Sequence, residues 1–116
     1  RHRATLGGNL ALARSCNAEG EIFPSDVAPL LLALDATVEE WREGETSIVS
    51  LSDWLAASKR GDISELLVAV HFEAPSGTFE SYRVAARARQ CKADLSAAFL
   101  AQVDDVGRLV AVRVAY

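Results

Sequence analysis

Methionine is absent from the 116 residues, cysteine and histidine occur twice each, and proline three times. With no initiator methionine, the chain is expected to begin inside a longer polypeptide. Cys16 and Cys91 lie far apart and form no CxxC pair. Neither His2 nor His71 has a neighbour at ligand spacing, so no metal site is expected. No secretory segment opens the chain, which favours free thiols in a reducing cytoplasm over a disulfide. No stretch reaches the roughly 18 apolar residues of a spanning helix. The longest, VAPLLLAL at 27–34, holds Pro29 and stops at Asp35. A basic stripe is also missing: the net charge is -4 and the pI about 5.1, which argues against a nucleic-acid partner. The loose basic gathering RVAARARQCK (83–92) is bracketed by acidic residues and reads as a solvated or lightly anion-binding face. No catalytic constellation emerges either. No cysteine is set beside a histidine, there is no Ser/His/Asp pattern, and solvation accounts for the acidic pairs Glu39-Glu40 and Asp104-Asp105 at expected hairpin surfaces. Redox chemistry in such a chain has to come from a bound cofactor.

What remains is an ordinary globular composition, 50% hydrophobic and 24% charged, long enough for one domain with a real core. A short helix is expected at 8–14, then a polar loop, RSCNAEGEIFP, at 14–24. SDVAPLLLALDA opens a buried helix with Ser25 or Asp26 as its N-cap and Pro29 in its first turn. ATVEEWRE and TSIVSL form a hairpin turning near Gly44. SLSDWLAAS predicts a short helix capped by Ser52 or Asp53. ELLVAVHFE (65–73) is strand-like, with Leu66, Val68, Val70 and Phe72 on one face. The loop APSG follows, and beyond it come three strand-like runs. The last two, LSAAFLAQVD and RLVAVRVAY, are joined by a tight loop at Asp104–Gly107. The fold class is α+β with antiparallel pairs.

The candidate chemistry begins at TLGGN. Gly7 and Gly8 permit positive φ and let a ligand approach the backbone. If Asn9 onward is helical, free N–H groups and the helix dipole make an anion site, with Thr5 and Asn9 as further donors. The spacing is neither a Walker loop nor GxGxxG, and a plain structural turn is the competing reading. Ser25-Asp26 is either a simple helix cap or a contact for ribose hydroxyls or phosphate. Arg83, next to Tyr82, is either a solvated strand charge or a phosphate partner.

In order, RHRATLGGNLALA, PSDVAPLLLALDATVE, ELLVAVHF and FESYRVAARARQCKADLSAAF resemble the FAD-binding subunit of molybdenum hydroxylases. That family includes xanthine dehydrogenase and the medium subunit of carbon monoxide dehydrogenase. The resemblance implies that Thr5, Leu6, Gly7, Gly8 and Asn9 hold the FAD diphosphate and that Ser25 and Asp26 sit at the flavin. It further implies that Leu66 and Leu67 pack near the flavin and that Arg83 stands where the family has a lysine or arginine. It assigns residues 1–74 to the second half of the FAD-binding domain, with mixed or antiparallel strands and short helices. Residues 75–116 then begin the C-terminal α+β domain. The implied role is electron transfer in the cytoplasm, from a molybdenum cofactor through 2Fe-2S clusters on partner domains or subunits of a hetero-oligomer. FAD would receive the electrons and pass them to NAD⁺, oxygen or another acceptor. Two departures stand out: the family's first glycine-rich FAD loop has no counterpart, and the link at 14–24 is longer than usual. Two other readings remain. One is a scaffold or subunit-interface fragment that keeps the fold without FAD, and the other is a generic nucleotide-binding module using the glycine loop alone.

Overall fold

The computed structural model describes residues 5–21, 23–57, 65–85 and 93–116; His2, Cys91 and most of the basic gathering lie outside them. The first helix, α1 (Leu6–Glu19), starts at Thr5, whose extended backbone turns its hydroxyl to accept the Gly8 N–H at 3.1 Å. The glycine pair therefore sits inside the first helical turn. The helix also continues well past the expected 8–14, so most of the expected polar loop is helical. Ala11, Leu12, Ala13 and Arg14 favour continuation, and no breaker intervenes before Gly20. There φ reaches 73°, and the amides of Gly20 and Glu21 return to the carbonyls of Asn17 and Cys16. Gly20 is thus a left-handed helix stop rather than a loop residue.

The second helix, α2 (Ala28–Ala33), is short and buried on Ala28, Pro29, Leu31 and Ala33. Its N-cap is Val27, which makes no side-chain cap bond, and not Ser25 or Asp26. Ser25 acts just ahead of it, where its Oγ accepts from Val27 N–H at 3.2 Å and Ala28 N–H at 2.9 Å. Strands β1 (Thr37–Arg42) and β2 (Glu45–Ser50) form the expected hairpin, turning through Glu43 and Gly44 at φ 50° and 95°. A third helix, α3 (Leu51–Ala56), is capped by Ser50, whose hydroxyl accepts the Asp53 N–H at 3.1 Å, and not by Ser52 or Asp53. The helix starts at the fully buried Leu51, so the cap lies two residues before Ser52. Among the described residues no helix is long and apolar enough to cross a membrane.

Strand β3 (Glu65–His71) pairs antiparallel with the other edge of β1, in the order β2-β1-β3. Glu39 faces Ala69 while Glu40 faces Leu67, so Val68 is an extra residue in a bulge. The expected alternation breaks at this point. Leu67 and Val70 pack on the core, whereas Leu66, Val68 and Phe72 are 62%, 52% and 56% exposed. The helices cover the inner face of this sheet around the fully buried Leu10, Val38 and Leu51, with Leu31, Trp54 and Leu55 beside them. Glu40 and Glu39 are not merely solvated: one accepts the Trp54 indole N–H at 3.0 Å and the other meets His71 at 3.0 Å. Arg14 lies 4.5 Å over the Trp54 ring and reaches Glu65 at 2.8 Å, and Arg42 also reaches Glu65, at 3.3 Å. Two cations offset the desolvation of this nearly buried carboxylate. Together they hold α1 to β3.

The second sheet runs β4 (Thr78–Val84), β5 (Leu95–Val103) and β6 (Leu109–Ala115), all antiparallel in that order. Ser96, Ala98 and Leu100 are its buried row, α2 packs on β5 and β6, and Tyr82 stacks on Phe99 across the outer face. Asp104 is not an idle surface charge, since its carboxylate accepts from the amides of Val106 and Arg108 and from the Arg108 guanidinium. These bonds, the Arg108 amide first among them, lower its pKa from the usual 3.8.

Two outcomes follow from this architecture. Leu10→Ala, which empties a fully enclosed site, should destabilise the chain by about 2–5 kcal/mol in urea unfolding. Asp104 has a lower pKa folded than unfolded, so its stabilising contribution is complete above 3.8 and lost as pH falls through the folded value. Asp104→Asn should therefore lower the melting midpoint at neutral pH, with the difference from wild type closing below pH 3.8.

Candidate functional site

The start of α1 is a local consequence of TLGGN. Helix geometry leaves the first-turn amides of Leu6 and Gly7 without intrahelical acceptors, and their dipoles add to positive potential there. No acidic residue occupies this first turn. Gly8 is exposed, and a Cβ on it would stand 3.0 Å from the Thr5 hydroxyl. Gly7 looks the other way, where a Cβ would come 3.8 Å from Leu67 Cδ2. The glycines thus keep one side of the turn open and let the other lie close to β3.

Asn9 connects this turn to the next segment. Its Oδ1 accepts the Ser25 hydroxyl at 2.5 Å, so its side-chain NH₂ remains the donating end. Ser25 is only 6% exposed, and it delivers Asp26 to the surface immediately beyond. Asp26 Oδ1 accepts both Arg83 Nε and Ser96 Oγ, each at 3.0 Å. A cavity of about 200 Å³ opens here, bounded by Asp26, Leu30, Tyr82, Arg83 and Ser96 among others. A second, mostly apolar cavity of about 500 Å³ shares Ser96 and is lined by Ser25, Phe23, Leu32 and Leu55.

The structure therefore brings Thr5, Leu6, Gly7, Gly8, Asn9, Ser25, Asp26 and Arg83 into one connected region, with Leu67 against the glycines. Leu66 is not part of it. It lies on the opposite face of β3, paired in register with Trp41. Ser96 belongs to the region but was not anticipated from the sequence. Its signal was a lone hydroxyl in the buried row of an apolar strand, which must find a partner.

The region joins a glycine-bearing helix start to the polar turn at Ser25 and Asp26. The chain belongs to the family described as the FAD binding domain in molybdopterin dehydrogenase, which matches residues 1–75. FAD is accordingly the cofactor of its family, as the sequence resemblance implied. Abscisic-aldehyde oxidase of Arabidopsis thaliana is 40% identical over 112 residues, and aldehyde oxidase 4 of the same plant 36% over 110. Each alignment covers 89% of this chain but only 8% of the relative. The Cu,Mo-CO dehydrogenase in its cyanide-inactivated form shares the fold, with a TM-score of 0.72 over 98% of this chain and 38% of that one, at 23% identity.

Removing the Ser25 hydroxyl deprives the amides of Val27 and Ala28, and the Asn9 carbonyl oxygen, of their partner at once. Ser25→Ala should cost about 1–3 kcal/mol of stability in chemical denaturation.

Proposed function

We propose that this chain forms one wall of the FAD site in a molybdenum-hydroxylase-type oxidoreductase. The observation that carries the reading is the unbroken link from the α1 start through Asn9 and Ser25 to Asp26, in a chain of this family. The amides of Leu6 and Gly7 would donate to the diphosphate, and Thr5 and the Asn9 NH₂ stand at the same turn. Asp26 suits sugar-alcohol hydroxyls, since its carboxylate can accept their hydrogens. Arg83 holds that carboxylate in place, and Leu67 provides an apolar flank. When bound, flavin supplies the electron-accepting chemistry that no residue here can. In the whole protein we assign it electrons that arrive from a molybdenum centre through iron–sulfur clusters on partner domains or subunits.

We also assign residues 1–74 to the FAD-binding domain and 75–116 to the start of the next. The family match ending at residue 75, and the change of sheet across the connection between β3 and β4, support that division. The second reading, a scaffold or subunit-interface fragment that keeps the fold without flavin, draws on Asp26 Oδ1 already accepting from both Arg83 and Ser96.

Titration of FAD with the purified chain, followed by flavin fluorescence, separates the two. Saturable quenching is expected, and Gly8→Val should weaken it at least about tenfold with unchanged circular dichroism, because a branched side chain then covers the open side of the turn. Full flavin retention by Gly8→Val would sink the phosphate assignment. Absence of binding by the wild-type chain would favour the scaffold reading.

A further inference from the structure

The second sheet is fastened to the first part of the chain at both ends of α2. Ahead of the helix, Asp26 takes Arg83 from β4 and Ser96 from β5. Beyond it, Asp35 Oδ2 accepts Arg113 Nη2 from β6 at 2.8 Å. The helix between them has six residues, about 9 Å at 1.5 Å each. Two aspartates flanking one short helix are thus gripped by arginines from the two outer strands of a three-stranded sheet. On top of the apolar packing of α2 on β5 and β6, two separated polar attachments restrain the sheet's orientation more than one would. Asp35 offers its carboxylate from a left-handed backbone at φ 56°, a conformation that Asp and Asn tolerate better than most residues.

We infer that Arg113 is a positioning residue. Through Asp35 it sets the seat of the second sheet on α2, and so keeps Arg83 and Ser96 in register with Asp26 without itself approaching the glycine turn. Flavin affinity then depends on a salt link at the far end of the helix, a consequence that rests on the flavin reading of Asp26. The pair is half-exposed, at 49% for Arg113 and 70% for Asp35, so its influence is modest and sensitive to salt.

The test compares the wild-type chain with Arg113→Gln, Arg113→Lys and Asp35→Asn. Amide hydrogen exchange without flavin should rise in α2 and β5 for Arg113→Gln and Asp35→Asn. Arg113→Lys, which keeps the charge, should stay close to wild type. In FAD titration the two charge-removing variants should bind about twofold to fivefold more weakly, and the difference from wild type should vanish in about 1 M salt. Exchange in Arg113→Gln and Asp35→Asn equal to wild type would overturn the two-point attachment. Loss in Arg113→Lys as large as in Arg113→Gln would also overturn the charge link. Raised exchange with unchanged FAD affinity would overturn the positioning role. Failure of the wild-type chain to take up FAD would overturn the flavin consequence together with the reading beneath it, while the exchange comparison still decides the attachment.

Discussion

The Ser25 hydroxyl is the atom on which the arrangement of the site turns. It accepts two amide hydrogens at the start of α2 and gives its own hydrogen to Asn9 of α1. Buried hydroxyls need such partners, and here the same oxygen satisfies one helix while fixing its approach to another. The next residue, Asp26, stands exposed at the surface. From there it meets β4 and β5. One side chain thereby relates the glycine turn, the short helix and the second sheet.

That link works because the elements around it cannot stand alone. Helices α2 and α3 have six residues each, well below the length at which an isolated helix persists in water. Their order comes from burying Leu31, Leu51, Trp54 and Leu55 against Val38 and Leu10. The polar groups are then placed by packing, not by local propensity. Glu65 shows the same economy, since one nearly buried carboxylate joins Arg14 of α1 and Arg42 of β1 to β3. The glycine turn is held near Leu67 by Arg14, two turns further along the helix, which reaches Glu65 of the same strand.

The likeness to the CO dehydrogenase chain at 23% identity fits this division of labour. A fold of this kind is preserved by its buried rows and by helix starts that satisfy their own amides. Most exposed residues can change without disturbing either. The two departures from the family pattern also take on separate physical meanings. The extra length at 14–24 is largely additional helix, ended by Gly20, and adds to α1 without moving the Asn9–Ser25 bond out of reach. The other departure, the glycine-rich loop with no counterpart, leaves these contacts as they are.

Local chemistry made much of the chain legible in advance. TLGGN announced a helix start, though the glycines expected ahead of the helix lie in its first turn; Glu43-Gly44 and Asp104–Gly107 announced their turns, and the ordered motifs the family. Each of these depends on residues within a few positions of one another, where backbone sterics and capping decide the outcome. The rest required contacts between distant segments. The bulge at Val68 arises from pairing with Glu39 and Glu40, and it shifts the alternation so that Val70 joins Leu67, not Leu66, on the core side. Ser96 and Arg83 converge on Asp26 across separations of 70 and 57 residues. Arg113 finds Asp35 across 78. The sequence by itself determined which groups were available and where helices and turns begin. Only the tertiary structure decided which of those groups share an oxygen, because strand register and helix seating are set by non-local burial.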